Sequence, residues 1–175
     1  MLTKGISRRE LQAAAVAALA GRTVAQDRVF SPRPWPTRPE EFPIIIVQAP
    51  GEKKIGVRPG VLRYNTTITL VAVARVVDFT PESLDAALEA FAEQIETALI
   101  SDPEFMLPVQ SVVSIETTKL VNADGKLPFG EIGMQFEIEV FQAYSPDATP
   151  LIDVQGTIQS QTTGATLAVV DVPLS

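Results

Sequence analysis

The sequence contains no cysteine and no histidine among its 175 residues. Without them the chain has no thiol nucleophile, no disulfide, no Ser-His-Asp triad and no zinc site that uses histidine. It also lacks the one side chain whose unperturbed pKa lies near neutral pH. A pair of catalytic carboxylates or a metal site built from oxygen ligands stays open.

Aromatic residues, long apolar runs and basic residues are scarce as well. Aromatics make up 6% of the chain, so the core should consist mainly of Val, Ile, Leu and Ala. No apolar run approaches the ~18–20 residues of a membrane span. The net charge of −7 argues against a nucleic-acid-binding protein, because such proteins cluster Lys and Arg to displace counterions from phosphate.

What is present is the composition of a folded domain, with 46% hydrophobic and 20% charged residues. The chain has no G-x-S-x-G, no phosphate-binding loop, no dinucleotide-binding glycine motif and no Asp-rich calcium loop. We therefore expect no enzymatic activity, no cofactor and no metal.

The N-terminal stretch ISRRELQAAAVAALAG has two interpretations. Ser7 and Glu10 fit a capping box and Gly21 suits a helix end, which predicts a helix over about residues 7–20. Its apolar stripe is Leu11, Ala15, Ala18 and Leu19. The paired arginines before an apolar segment also resemble a twin-arginine export signal. Glu10 lies where the apolar part of such a signal should begin, and this favours the helix.

The stretch VFSPRPWPTRPEEFPIII, residues 29–46, holds five prolines and the only tryptophan of the chain. Proline fixes φ and pushes the preceding residue into an extended conformation, so residues 29–43 are predicted to form a stiff arm. Trp and Arg dominate the energetics of many protein interfaces. The candidate partner contacts on the arm are Arg33, Trp35, Arg38 and Phe42.

Four strands are predicted before residue 145. The first, at residues 44–47, is closed by a turn at 49–51 and followed by a polar loop over 51–60. The second, at 62–77, has two partly apolar faces and should be central. The third covers 109–120, and a turn at 122–126 leads to the fourth, at 131–144, which alternates between a buried and a wet face.

A second helix is predicted between the second and third strands. Thr80 is a suitable N-cap and Pro81 a suitable first residue, and the pair Asp102-Pro103 ends the helix. The buried stripe is Leu84, Leu88, Phe91, Ile95 and Leu99. These elements predict an α+β fold, a mixed or antiparallel sheet of about four strands packed by two main helices.

The last part of the chain is predicted to be a β-hairpin extension. Residues 145–150 read as a boundary, and residues 152–159 and 165–172 as two strands. The domain organisation is then an α+β domain over residues 1–148, including the arm at 29–43, and a β extension over 149–175.

The second helix also carries an acidic stripe without any basic residue. Its members are Glu82, Asp85, Glu89, Glu93 and Glu96. Like charges at this spacing destabilise a helix, so the stripe is either a solvated face, a surface that basic groups from elsewhere approach, or a face that is meant to be negative. It makes a poor cleft for catalytic carboxylates. Glu137 and Glu139 lie on the wet face of the fourth strand.

The order of these segments resembles the tail terminator proteins of tailed bacteriophages, the group of minor tail protein U-like proteins, which have relatives in gene transfer agents. The resemblance covers about residues 5–145. Its segments are the N-terminal helix, Val29-Phe30 before the Pro/Arg loop, FPIIIV at 42–47, LRYNTTI at 62–68, the amphipathic helix from Leu84 to IETAL at 95–99, and IGMQFEI at 132–138 before Tyr144. The C-terminal hairpin and the density of prolines depart from the pattern.

The resemblance implies a sheet with helices packed on it, in a subunit that forms a homohexameric ring. Such a ring sits at the head-proximal end of the tail tube, stops polymerisation of the tube protein and meets the head-completion or connector proteins. Sheath and tape measure proteins are further candidate partners. The chain would be a virion protein of the head–tail junction, or neck, assembled in the host cytoplasm, with no enzymatic activity and no contact with a membrane.

In this ring DNA would pass through without specific binding, since an acidic wall repels phosphate. The acidic side chains considered for the channel or for an interface are Asp85, Glu89, Glu93, Glu96, Glu137 and Glu139. Whether the second helix or the fourth strand lines the channel is left open. The alternative function is a non-enzymatic binding protein exported by a twin-arginine signal.

Overall fold

The computed structural model describes residues 2–34, 39–77, 80–122, 129–145, 153–159 and 166–173. The chain divides into two units, Met1–Ser145 and Pro146–Ser175. The elements of the first unit are, in order, β1 (Leu2–Lys4), α1 (Arg8–Leu19), β2 (Val29–Phe30), β3 (Ile44–Gly56), β4 (Arg63–Val77), α2 (Pro81–Ile100), α3 (Pro103–Met106), β5 (Val109–Asn122) and β6 (Phe129–Tyr144).

The strands of this unit form one six-stranded mixed sheet. β6 pairs with β4 on one side, and with β5 and the short β1 on the other; β4 pairs with β3, and β3 with β2. All pairs are antiparallel except β2 with β3. The α+β class is confirmed, and β4 is central as predicted. β1 and β2, with three and two residues, are too short to show a periodic pattern.

The predicted turn at residues 49–51 is wrong, and of the polar loop predicted over 51–60 only the residues after Gly56 lie outside the strands. β3 continues to Gly56, and its register against β4 shifts between Gln48 and Gly51. A bulge of this kind tolerates proline because it interrupts the ladder of backbone hydrogen bonds. Side chains of α1 bind the bulge: Gln12 accepts from the Ala49 N–H at 3.2 Å, and Arg8 donates to the Pro50 carbonyl at 3.1 Å.

α1 confirms the predicted N-terminal helix. Ser7 and Glu10 form the reciprocal capping box, and the two hydrogen bonds that Glu10 accepts from Ser7 lower the pKa of its carboxyl. The buried side chains of α1 are the predicted Leu11, Ala15, Ala18 and Leu19. Gly21 follows the helix with a φ of +71°, a conformation that glycine adopts without strain.

α2 supplies the largest part of the helical core. Thr80 is its N-cap, as predicted. Its predicted stripe is fully buried: Leu84, Leu88, Phe91, Ile95 and Leu99. At the start of β6, a Cβ on Gly130 would approach Leu88 Cδ1 to 2.5 Å, so the missing side chain lets the helix pack closely on the strand. All three helices contribute to one core on one face of the sheet.

The opposite side of β4 and β6 is the open sheet face. Its side chains are Thr67, Thr69, Val71, Val73 and Arg75 from β4 and Glu131, Gln135, Glu137 and Glu139 from β6. They alternate with the buried residues, as predicted, but are half-buried rather than fully wet. The reason is that β6 lies between two strands whose side chains flank its own.

The arm comprises β2 and the connection from it to the parallel strand β3, and these two strands lie side by side with Val29 opposite Ile45. Parallel neighbours need a crossover, because the chain must return to the edge at which the first strand began. Residues 39–41 of the arm form one 3-10 turn. Pro32 and Arg33 line a depression of about 240 Å³ together with Val73 and Arg75, so the arm begins beside the open sheet face.

The second unit contains the predicted β-hairpin. Its strands are β7 (Asp153–Gln159) and β8 (Thr166–Pro173), which pair antiparallel. The predicted boundary between residues 148 and 149 lies outside the described residues, and so does most of the turn predicted at 122–126. In the described part of the chain, no helix combines the length and the apolar character that crossing a membrane requires.

Candidate functional site

The acidic stripe of α2 is exposed, and within the described residues one basic side chain from another element reaches it. Lys119 of β5 places its Nζ 2.7 Å from Asp85 Oδ1 and 2.6 Å from Glu89 Oε1. The N-terminal half of the stripe is therefore partly neutralised within the chain. This matches one of the sequence alternatives, the approach of a basic group from elsewhere.

The other half of the stripe has no basic partner among the described residues. Glu93 and Glu96 are exposed and make no ion pair with any described residue. Arg22 lines a shallow groove of about 340 Å³ with Glu93 and Thr97. Arg22 itself is bound to Asp102 at 2.9 Å and to the Ser101 hydroxyl at 2.7 Å. The exposed Ile100 lies one turn beyond Glu96.

The bridge between Lys119 and α2 predicts a pH dependence. Hydrogen bonds with Asp85 first, and then Glu89, raise the pKa of Lys119 above its ordinary value. A raised pKa in the folded state means that the stabilisation is complete below the lysine pKa of the unfolded chain, about 10.4, and is lost as the pH rises through the folded-state pKa. Lys119→Gln should therefore lower the thermal unfolding midpoint slightly at neutral pH, and the difference from wild type should vanish in strong alkali.

The control for Lys119→Gln is Lys53→Gln, which removes an exposed lysine without an ion pair to the described residues. It should leave the midpoint unchanged at both pH values. A Lys119→Gln effect that persists unchanged in strong alkali would show that packing of the alkyl chain, and not the charge, stabilises this contact.

Glu137 and Glu139, the other acidic candidates, lie on the open sheet face. Glu137 accepts hydrogen bonds from the Thr69 hydroxyl at 3.0 Å and from the Gln135 amide at 3.1 Å, and Glu139 accepts one from the Ser111 hydroxyl at 3.3 Å. These donors are neutral, so they orient the two carboxylates without cancelling their charge. Further along the face, Glu131 is paired with Arg75 at 2.6 Å.

The candidate contacts on the arm are only partly described. Arg33 is exposed, and its guanidinium makes a cation–π contact 3.7 Å from the centroid of the Phe30 ring; it forms no ion pair with an acid in the described part of the chain. Phe42 is half-buried. Trp35 and Arg38 lie outside the described residues. The described arm residues thus place one basic side chain on the surface beside the open sheet face.

The sequence reasoning missed a basic hairpin formed by the end of β3, the turn after it and the start of β4, residues 52–63. Four of its twelve residues are basic and one is acidic, which gives a net charge of +3. The basic residues are Lys53, Lys54, Arg58 and Arg63. The pattern of residues 51–60 predicts a loop, and the signal in the sequence for this hairpin is the concentration of cations in an otherwise acidic chain.

Two tyrosines hold the base of the basic hairpin. Tyr64 and Tyr144 meet edge to face with their ring centroids 5.9 Å apart. Lys54 donates a hydrogen bond to the Tyr144 hydroxyl at 2.6 Å, which raises the pKa of Lys54, and it also lies 3.2 Å from Glu52. In the turn, the Val57 N–H donates to the Arg63 carbonyl at 3.0 Å. The hairpin is therefore an ordered projection of the sheet.

The described residues contain no group of three or more Asp and Glu side chains arranged to hold a metal ion. The depressions named above are shallow surface features, and the carboxylates in them are either paired or exposed. What the geometry offers is a set of charged and apolar surfaces suited to contact with other macromolecules. No family model matches the chain, and no curated protein matches it.

Proposed function

We propose that the chain is a structural protein of a phage-type particle, a tail terminator that forms a hexameric ring at the head-proximal end of the tail tube. In this role it stops polymerisation of the tube and joins the tail to the head-completion proteins. It works through its surfaces, without a catalytic step and without a cofactor.

The open sheet face is the observation that carries the proposal. β4 and β6 are 15 and 16 residues long, and α2 packs on their other face, which belongs to the hydrophobic core. The open face sets half-buried aliphatic side chains such as Val71 and Val73 beside the ordered carboxylates of Glu137 and Glu139. A surface of this mixed character suits contacts with neighbouring subunits and a polar channel.

Two further observations support the proposal. The described elements follow the order on which the resemblance to tail terminators rests: helix, proline-rich arm, two long strands, amphipathic helix, two long strands. Glu137 and Glu139 of the open sheet face are held by neutral donors, which do not cancel the charge of a carboxylate, and a negative wall repels DNA phosphates during passage.

The alternative, an exported binding protein, is less well supported. It requires the segment after Arg8 and Arg9 to be a cleavable signal. In the fold the same segment is α1, whose side chains Leu11, Ala15 and Leu19 are fully buried in the core. Removing it would expose the helix-facing side of β3.

Deletion of the coding sequence from the genetic element that carries it tests the proposal. Induced cells should then contain filled heads and unjoined tails of irregular length, seen by electron microscopy of lysates. Adding the purified protein to the mixture should restore joined particles. Normal particles in the deletion strain, or unjoined heads and tails that the purified protein leaves unjoined, would contradict the proposed function.

A further inference from the structure

The basic hairpin combines charge with exposed apolar side chains. Ile55, Val57 and Leu62 are 56%, 50% and 43% exposed, and Arg58 and Arg63 lie among them. Neither arginine makes an ion pair with the described residues. Aliphatic side chains surrounded by unpaired charges are typical of the surface that a protein partner covers.

The hairpin is ordered before any partner binds. β6 pairs with β4 as far as the first residue of β4, where Ala143 lies opposite Arg63. One residue further, the Tyr144 N–H donates to the Leu62 carbonyl at 2.9 Å. Because the backbone is already fixed, docking loses little conformational entropy. This favours recognition by shape and charge over recognition by a mobile loop.

A surface with the charge and apolar character needed to cover the hairpin is present on the same chain. α2 carries five acidic and no basic residues, and its Glu93 and Glu96 make no ion pair with the described residues. Ile100, 42% exposed, continues the same stripe one turn later. The outer face of α2 thus offers an aliphatic side chain beside two carboxylates, opposite in charge to the hairpin.

We propose that the basic hairpin of one copy docks on the outer face of α2 of the next copy, with Arg58 and Arg63 against Glu93 and Glu96. The inference rests on the proposed ring and names the surfaces that close it. A contact between two different patches is heterologous, and heterologous contacts generate a ring when the rotation from one copy to the next closes. The exposed aliphatic residues of the hairpin, Ile55, Val57 and Leu62, would pack against Ile100 of the next copy.

Nucleic acid is a weaker candidate for the hairpin. Phosphate recognition uses dense basic charge, whereas here three exposed aliphatic residues lie among the cations and Glu52 is part of the same hairpin. The chain as a whole carries −7, which repels a polyanion at long range. A second copy matches both the charge and the apolar character.

Charge reversal in two separate variants tests the docking. The first variant is Arg58→Glu with Arg63→Glu, and the second is Glu93→Lys with Glu96→Lys. Each should associate about a hundredfold more weakly with itself than wild type does, because like charges then meet at every contact. The readout is the fraction of tail tubes capped by rings in electron micrographs, together with the mass of the protein in solution.

An equimolar mixture of the two variants should restore the rings. In an alternating ring the acidic hairpin of the first variant meets the basic α2 of the second, and the unchanged hairpin of the second meets the unchanged α2 of the first. Every contact is then complementary, and the ring must contain an even number of copies. A fold defect in either variant would not be repaired by mixing, so the rescue isolates the contact.

The matched controls are Arg9→Glu and Asp27→Lys, single charge reversals at exposed positions elsewhere. Both should cap tubes like wild type. The docking proposal is overturned if the paired variants cap tubes normally, if the mixture fails to restore capping, or if the arginine variant instead loses retention on immobilised DNA with its rings intact. Wild type that neither self-associates nor caps tubes would overturn the proposed function itself.

Discussion

Replacing Phe91 with alanine should lower the free energy of unfolding by about 3–5 kcal/mol, the range measured for truncation of buried aromatic side chains. Phe91 is fully buried on the inner face of α2 and belongs to the core shared by the helices and the sheet. Among the side chains that are fully buried in the described core, phenylalanine is the largest type. Its truncation leaves a cavity that the closely packed strands cannot fill. Urea unfolding, with the slope against denaturant unchanged, measures the loss.

The control for Phe91→Ala is Leu107→Ala, a truncation of a side chain that is 86% exposed. It should change the free energy of unfolding by no more than about 0.5 kcal/mol, as expected for a surface position. A Phe91→Ala loss below about 1 kcal/mol would mean that Phe91 does not fill the core as described. Phe91 also serves as a reference for the Glu93→Lys, Glu96→Lys variant, because those two reversals lie on the outer side of the same helix.

Much of the fold could be predicted because burial imposes a period on each element. The stripe of α2, from Leu84 to Leu99, and the alternation of β6 both record which side faces the core. The same holds for the four buried side chains of α1. In each case the local periodicity agrees with the tertiary packing, so the pattern alone is sufficient to predict the element and its buried face.

The continuation of β3 through Pro50 could not be predicted in this way. The sequence Ala-Pro-Gly favours a turn locally, and the strand continues only because a bulge accommodates the proline. The hydrogen bonds that Gln12 and Arg8 make to the bulge come from a helix about 40 residues earlier in the chain. A tertiary contact of this kind leaves no local signal.

For the candidate site, the sequence predicts which charged residues share a surface, but it does not predict which of them form ion pairs with each other. The acidic stripe of α2 follows from helical spacing. Lys119 reaches Asp85 and Glu89 because β5 lies at the edge of the sheet beside α2. The spacing of residues along the sequence does not indicate that β5 and α2 are neighbours. The basic hairpin could not be predicted from local pattern, because the continuation of β3 into it depends on the bulge between Gln48 and Gly51.

The buried polar pair of Thr66 and Gln142 also has no signal in the sequence pattern. Breaking this pair should have the second largest effect on the free energy of unfolding. Both side chains are at most 1% exposed. The Thr66 hydroxyl donates to Gln142 Oε1 at 3.1 Å, and Gln142 Nε2 donates to the Ile6 carbonyl at 2.6 Å. The pair thus ties the segment before α1 to β6, close to Gly5, where an added Cβ would run into the Phe141 carbonyl oxygen.

Thr66→Val keeps the shape of the side chain but leaves Gln142 Oε1 without its donor, which should cost about 1–3 kcal/mol of unfolding free energy. Gln142→Leu strands both the Thr66 hydroxyl and the Ile6 carbonyl, and should cost at least as much. The double variant retains only the stranded carbonyl, so its loss should be smaller than the sum of the single losses by about 1 kcal/mol or more. Strict additivity in this cycle, measured by urea unfolding, would contradict the buried hydrogen bond, because two groups that do not interact cannot compensate for each other's removal.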